Sequence, residues 1–551
     1  MFYMVNQHNM SSISNKKKFI IKKTTTNRRT IKIKIKKNNI NRLVDKTNQY
    51  MKNIGFKLHP HQEDGIKWML TKEIKGVRTP YCKINGGLLC DDPGLGKTIQ
   101  TCATMWANPV LKTLLIVPVS IINQWVDTIV KILPNYKVYV HHGNKRSKTL
   151  QELVDRRSNI TITTIHNAGD SIIQQYKKWD RVIVDEVQYI KNVRSHSNNK
   201  LCSIRSKYKW GLSGTPIQNS EKDLFAIYKY IGVHPNELYI DNLQTLNSQL
   251  LLKRTKQIFK HSLLPKLVYN EYLIDFKNEE ERAIYRDIKE NIMDEYMNLM
   301  EQSTSRHRNL VIIELLLRLR QVSIHPQIAL NAFKKKFNTT CKYEYSGIPT
   351  KMSSIVNKIK ETGNDLCLVF CQFKDEIAIF DKILKENGIG CKKYDGSMSI
   401  KEKQQVIDSF LSNSEQEMFS LIQKHSVLPH EIDSLIGSFL PKVLLIQIKA
   451  GGVGLNLQQF KHIFITSPDW NPSNEIQAIA RAHRLGQKHS VHVHKYILVD
   501  STKKFITIDE YIYNTQIIKI NKMIDIINHD SIIDISKIKL LEKDIIKTLI
   551  G

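Results

Sequence analysis

Short, nearly uninterrupted apolar runs recur in two stretches of the chain, with segments of helical length between them. In the first stretch, which begins near Gly55, the runs are GLLC at Gly87–Cys90, LLIVP at Leu114–Pro118, TITT at Thr161–Thr164 and RVIVDE at Arg181–Glu186. The second stretch has LCLVF at Leu366–Phe370, VLLIQI at Val443–Ile448 and HIFIT at His462–Thr466. Runs of this length predict strands buried on both faces, and the intervening segments predict the helical crossovers of a parallel sheet. Residues 276–333 are different: charged, Leu-rich and 3.6-periodic, with VIIELLLRLRQV at Val311–Val322. The pattern predicts an α/β chain of two doubly wound parallel-sheet lobes with a helical insertion between them.

These patterns place a basic arm at residues 1–50, a first lobe at 51–265 and a helical spacer at 266–350. A second lobe follows at 351–500, with a polar insert at about 411–441, and a helical brace at 501–551. No tandem repeat of 20 to 50 residues is present.

Composition adds a partner to this picture. At 551 residues the chain is too long for one ordinary core. Lys and Arg number 83 against 52 Asp and Glu, a formal charge of +31, which favours a polyanionic partner such as nucleic acid over an uncharged one. The first 44 residues hold twelve Lys or Arg and no acid, as a solvated arm or a phosphate-binding tail would. The alternation IKIKIK within it is also compatible with an edge strand. The eight cysteines, Cys82, Cys90, Cys102, Cys202, Cys341, Cys367, Cys371 and Cys391, form no CxxC pair. Reduced thiols are expected, with no zinc site and no disulfide framework. No apolar run approaches the ~18 residues of a membrane span and no signal-peptide core opens the chain, so an intracellular protein is expected.

The first candidate for chemistry is Asp91-Asp92-Pro93-Gly94-Leu95-Gly96-Lys97-Thr98, which follows the Gly87–Cys90 run and opens a helical stretch. Glycines there let backbone N–H groups wrap phosphates at the positive end of the helix. Lys97 would hold the β- and γ-phosphates, and the Thr98 hydroxyl would ligate Mg²⁺. The first glycine of the usual phosphate loop is Asp91 here, and a Gly-Lys-Thr triplet alone does not decide for a nucleotide. A second element does. Asp185 and Glu186 end the run RVIVDE, where one carboxylate can hold Mg²⁺ through water and its neighbour can take a proton from attacking water. Ser213-Gly214-Thr215-Pro216 follows in chain order.

Together these motifs resemble superfamily-two helicases, and specifically the Swi/Snf ATPases. LHPHQEDGIKWML at Leu58–Leu70 looks like that family's opening element, in which Gln62 would recognise adenine. DDPGLGKTIQ is similar to its nucleotide loop, where the first glycine is commonly missing. DEVQ at Asp185–Gln188 stands where the family has a DEAH-like box, and LSGTPIQN at Leu212–Asn219 resembles the element coupling ATP state to DNA grip. LLKRTK at Leu251–Lys256, LPK at Leu264–Lys266 and LRLRQVSIHP at Leu317–Pro326 look like the exit from the first lobe and the helical spacer. YDGSM at Tyr394–Met398, AGGVGLNLQ at Ala450–Gln458, DWNP at Asp469–Pro472 and QAIARAHRLGQ at Gln477–Gln487 complete the series over about residues 55–525.

The resemblance implies two RecA-like lobes with ATP and Mg²⁺ between them and double-stranded DNA across both, gripped by its backbone. It implies phosphate and base contacts from Gln62 and Asp91–Thr98, metal contacts from Thr98 and Asp185, and hydrolysis by Lys97, Asp185, Glu186 and Gln188. Arg481 and Arg484, three apart on an expected helix face, would reach the γ-phosphate as arginine fingers do. Nucleic-acid contacts are expected from Pro118, Thr163 and Thr164 in the first lobe, and from Gln372, Gly451, Gly452 and Trp470 in the second. Gln188 replaces the usual histidine of the box, which removes a titratable ring and keeps hydrogen-bonding capacity.

The expected function is an ATP-driven motor on duplex DNA that displaces or remodels a polymerase or another bound protein. It would act in the nucleus, a viral replication compartment or a virion. A strand-separating DNA or RNA helicase and a non-catalytic nucleic-acid-binding protein are the alternatives.

Overall fold

The computed structural model describes residues 40–177, 179–218, 220–259, 264–302, 305–337, 344–410, 441–448 and 455–528. The basic arm up to residue 39, the insert through residue 440, and Gly451 and Gly452 lie outside the described residues.

The first lobe is built on a seven-stranded sheet. Its order is Val138–His141, Ile160–Thr163, Thr113–Ile116, Arg181–Asp185, Tyr208–Leu212, Gly86–Leu89 and Leu251–Leu252, and every neighbouring pair is parallel. Alternate residues point to opposite faces, and both faces are covered, which is why the runs read as unbroken apolar stretches. Leu88, Leu114, Ile116, Val182 and Val184 pack into one core, against Leu224, Ile227 and Leu246. Leu89, Leu115, Ile183 and Trp210 pack into the other, with Met69, Ala103 and Trp125.

A parallel sheet sends all its C-terminal strand ends to one edge, where the connecting loops meet. Four adjacent strands here bring four loops together: those after Gly86–Leu89, Arg181–Asp185, Tyr208–Leu212 and Leu251–Leu252. Sequence separation is thereby erased, and residues near 92, 186, 214 and 254 become neighbours.

The second lobe has a six-stranded sheet, again parallel throughout, in the order Leu267–Asp275, Val491–Val499, His462–Ile465, Cys367–Cys371, Val443–Gln447 and Cys391–Tyr394. Leu267–Asp275 is an edge strand paired along all nine residues with Val491–Val499. Three helices follow it, Glu279–Gln302, Ser305–Ile324 and Pro326–Phe337.

Buried ion pairs tie these layers together. Glu475, on the helix Pro472–Ala482, receives Lys495 Nζ at 2.9 Å, and Gln516 donates to its other oxygen at 2.7 Å. That fixes the helix against the sheet and against the C-terminal helix Ile508–Asn528. The last helix also reaches the first lobe, where Asn247 Nδ2 donates to the Ile526 carbonyl at 2.9 Å. Among the described residues, no helix is long and apolar enough to cross a membrane.

Candidate functional site

The loop after Gly86–Leu89 turns sharply at two glycines. Gly94 has φ +95° and Gly96 has φ +84°, and Gly96 caps the helix Lys97–Ala107. A side chain at either would be strained, and a Cβ on Gly96 would stand 2.3 Å from Gln62 Nε2. Lys97 points back into its own loop and donates to the Asp91 carbonyl at 2.7 Å and the Asp92 carbonyl at 3.4 Å. Burial draws its pKa below the ordinary lysine value, while Glu186 and Asp185 oppose the shift. Thr98, one residue further into the helix, is half-buried.

Asp91 does not stand open to a ligand. Its buried carboxylate accepts from Arg254 Nε at 2.8 Å, Arg254 Nη2 at 2.5 Å and Gln100 Nε2 at 3.0 Å. Asp92 is held by the same segment, through Lys253 Nζ at 2.6 Å and the Lys256 N–H at 3.1 Å. Pro93 is covered by the Ser213–Pro216 turn: a Cβ on Gly214 would fall 2.7 Å from its ring. Gln62 is buried too, accepting from the His59 N–H at 3.0 Å and donating to the Leu95 carbonyl at 3.2 Å.

The strand Arg181–Asp185 delivers the carboxylates. Asp185 accepts from Trp125 Nε1 at 2.8 Å and from the Glu186 N–H at 2.9 Å. Desolvation, then the charge of Glu186, pushes its pKa up to about 6. Such a carboxylate gains from a cation brought beside it. Glu186 has φ +51°, a left-handed conformation that is rare for a non-glycine residue and that turns its side chain out of the strand line. Gln188 Nε2 donates to Glu186 Oε2 at 2.5 Å, and Ser213 Oγ donates to Gln188 Oε1 at 2.6 Å. Gln188 thus links the carboxylate to the Ser213–Pro216 turn, a bridge that an amide makes without titrating.

Across the cleft, Gln477 Nε2 lies 3.4 Å from Glu186 Oε2. Gln477 was not singled out from sequence, although its place four residues before Arg481 puts the two on one helix face. Arg481 sits in the last turn of that helix; burial lowers its pKa, and Glu186 opposes the shift most. Arg484 requires a correction. The helix ends at Ala482, and His483 leaves it with ψ 82°. Gln487 donates to the Arg484 carbonyl at 3.0 Å through its N–H, and Gly486 has φ +97°, so Arg484 belongs to a turn and not to the helix face. The turn lays Arg484 against the phosphate loop, where a Cβ on Gly94 would meet Arg484 Cβ at 3.2 Å.

Of the expected nucleic-acid residues, Pro118, Thr163 and Thr164 stand at the ends of neighbouring strands, where the Val117 N–H donates to the Thr163 carbonyl at 2.9 Å. Thr163 is fully buried and donates to the His141 carbonyl at 3.0 Å, while Thr164 caps the helix Ile165–Ala168. The sheet takes the Thr163 hydroxyl proton, whereas the Thr164 hydroxyl only accepts, from the Asn167 N–H. Pro118 is half-buried at the end of its strand. Gln372 is half-buried, with its N–H on Glu376 at 2.7 Å and its amide on the Ser467 carbonyl at 3.3 Å. Trp470 packs edge-on to Tyr511, ring centroids 6.2 Å apart.

Comparison with known proteins agrees with this layout. The model of the SNF2-related domain matches residues 61–239, and that of the helicase conserved C-terminal domain matches 350–423 and 425–486. The probable global transactivator of Orgyia pseudotsugata multicapsid polyhedrosis virus is 25% identical over 460 residues, covering 80% of this chain and 86% of that protein. The ISWI chromatin-remodeling complex ATPase ISW2 of Saccharomyces cerevisiae is 25% identical, over 80% of this chain and 39% of its own length. The putative ATP-dependent helicase/translocase YwqA of Bacillus subtilis is 26% identical, over 82% and 47%. The chain therefore spans most of the viral relative and less than half of the other two. Among solved structures, the Sulfolobus solfataricus SWI2/SNF2 ATPase core in complex with dsDNA is 23% identical, with a TM-score of 0.36, over 90% of this chain and 98% of that one.

Proposed function

The chain belongs to the Swi/Snf family of helicase-like ATPases, and on that premise we propose that it hydrolyses ATP between its lobes to move along double-stranded DNA and displace or remodel what is bound there. One observation carries the reading. Glu186, the carboxylate to which we assign the activation of water, is met from the other lobe by Gln477, on the helix that carries Arg481. Hydrolysis in such a site requires both lobes, so each cycle of closing and opening is available as motion.

The residues fit a magnesium nucleotide. Gly94 and Gly96 open the loop for phosphates, and Lys97 needs only to exchange two loop carbonyls for phosphate oxygens. Thr98 and, through water, Asp185 would hold Mg²⁺, which supplies charge neutralisation at the β- and γ-phosphates. Gln62 would face adenine after releasing the Leu95 carbonyl. Glu186 would take the proton of the attacking water, with Gln188 and Gln477 fixing its oxygen. Arg481 and Arg484 would hold the charge that develops on the transferred group.

Duplex DNA as the track is supported by the family and by the +31 charge. Grip through phosphates would be salt-sensitive and indifferent to sequence. A polymerase or another DNA-bound protein is the cargo we assign, in a nucleus or a viral replication compartment. The test is the ATPase rate with duplex DNA, single-stranded DNA and RNA. Stimulation by duplex supports a translocase; stimulation by single strands or RNA alone would make the protein a strand-separating helicase.

A further inference from the structure

The segment Leu251–Lys256 carries three cations that take no part in the reaction described above. Lys253 Nζ holds Asp92 at 2.6 Å and the Gly214 carbonyl at 2.9 Å, and Arg254 clamps Asp91. Both keep the phosphate loop in place from within the first lobe. Lys256 differs. Its N–H donates to Asp92 Oδ2, but its Nζ crosses the cleft and donates to the carbonyl of His483. His483 closes the helix Pro472–Ala482 and immediately precedes Arg484.

The surroundings make this contact specific. His483 Nε2 lies 2.8 Å from the Pro265 carbonyl, so the residue is held on a second side. A Cβ on Gly94 would meet Arg484 Cβ at 3.2 Å and Lys256 Cε at 3.9 Å, so both side chains pass the same glycine. Leu485, the next residue, packs on Leu95 of the phosphate loop and on Phe259 and Leu264 of the first lobe's exit.

We propose that Lys256 is a positioning residue for Arg484: its bond to the His483 carbonyl sets the height of Arg484 over the phosphate loop. The second lobe then seats correctly only when the first lobe presents a charged ammonium at this point. The inference rests on the reading of Arg484 as a group that meets the γ-phosphate. Asp92 favours the charged form of Lys256, whereas burial first, then Arg484, Lys97 and Arg481, oppose it, and the pKa is pulled down to about 8. Loss of the proton as pH rises through that value leaves a weaker donor to the His483 carbonyl and removes the charge attraction to Asp92.

Steady-state kinetics of the full chain with duplex DNA, for wild type, Lys256→Met and Lys256→Arg across neutral to alkaline pH, tests this. Lys256→Met should lower kcat on the order of ten- to a hundredfold, with the KM for ATP changed by less than about threefold. Lys256→Arg should restore most of kcat and move the alkaline midpoint upward, because a guanidinium stays charged. Wild-type kcat in Lys256→Met overturns the proposal, and so does a loss confined to KM, which would make Lys256 a binding group only. If Lys256→Met does not fold, Lys256→Arg decides alone: an unmoved midpoint overturns the assignment. A wild type without ATPase activity refutes the motor itself, a result distinct from an active wild type with an equally active Lys256→Met.

Discussion

Arg254 grips Asp91 with two nitrogens, Nε at 2.8 Å and Nη2 at 2.5 Å, at the position where a phosphate loop ordinarily has its first glycine. The acid is fully buried and the arginine nearly so. The departure from the usual loop is therefore a strut: the side chain that a glycine lacks is used to tie the loop to the Leu251–Lys256 segment.

Breaking that strut from one side should cost more than removing it whole. Arg254→Met leaves a buried carboxylate without its partner and should destabilise the first lobe by about 3–5 kcal/mol. Replacing both, with Asp91→Asn and Arg254→Met together, should recover part of the loss. Thermal or urea unfolding of the single and double variants checks this, and additive losses would contradict it.

Glu186→Gln should bind ATP about as well as wild type and lose hydrolysis by roughly 10²–10⁴-fold, since the amide cannot accept the proton of water. Single-turnover hydrolysis beside a nucleotide-binding titration separates the two effects. A variant that hydrolyses at the wild-type rate would remove Glu186 from the mechanism.

Gly94→Ala combines two penalties. The φ of +95° is strained for any L side chain, by roughly 1–2 kcal/mol, and the new methyl meets Arg484 Cβ at 3.2 Å. Gly388, at φ +69° with nothing within 4 Å of an added Cβ, provides the control. Gly94→Ala should lower kcat while Gly388→Ala costs stability alone. Equal kinetics for the two would show that the approach of Arg484 to Gly94 is not needed.

The second lobe should lose stability in mild acid. His494 is buried between Tyr272 and Phe464, with His462 Nδ1 3.1 Å from its Nε2, and burial, followed by His462, Lys358 and His492, pulls its pKa down to about 3. The unfolded chain takes up a proton near pH 6.5, whereas the folded lobe resists until far lower. Stability is therefore full above about pH 6.5 and falls as pH drops toward 3, by about 1–2 kcal/mol at pH 5. Melting at pH 7 and pH 5 should show the drop in wild type, and His494→Phe should reduce it.

Much of the architecture was legible along the chain, for a definite reason. A strand buried on both faces needs apolar residues at consecutive positions, so the runs at 114, 161, 181, 366, 443 and 462 announced themselves. The phosphate loop and the Asp185–Glu186 pair were legible because their chemistry is confined to a few neighbouring residues. Leu267–Asp275 was not, since an edge strand alternates exposed and half-buried positions and LVYNEYLID has no unbroken run. The turn at His483 was equally hidden, because Arg481 and Arg484 have helical spacing whether or not the helix continues. Only the tertiary structure decided the distant pairings: Arg254 on Asp91 within the first lobe, and Lys256 on His483 and Gln477 on Glu186 between the lobes. These partners stand 163, 227 and 291 residues apart, and one chain's local pattern carries no record of which strand ends a parallel sheet will bring together.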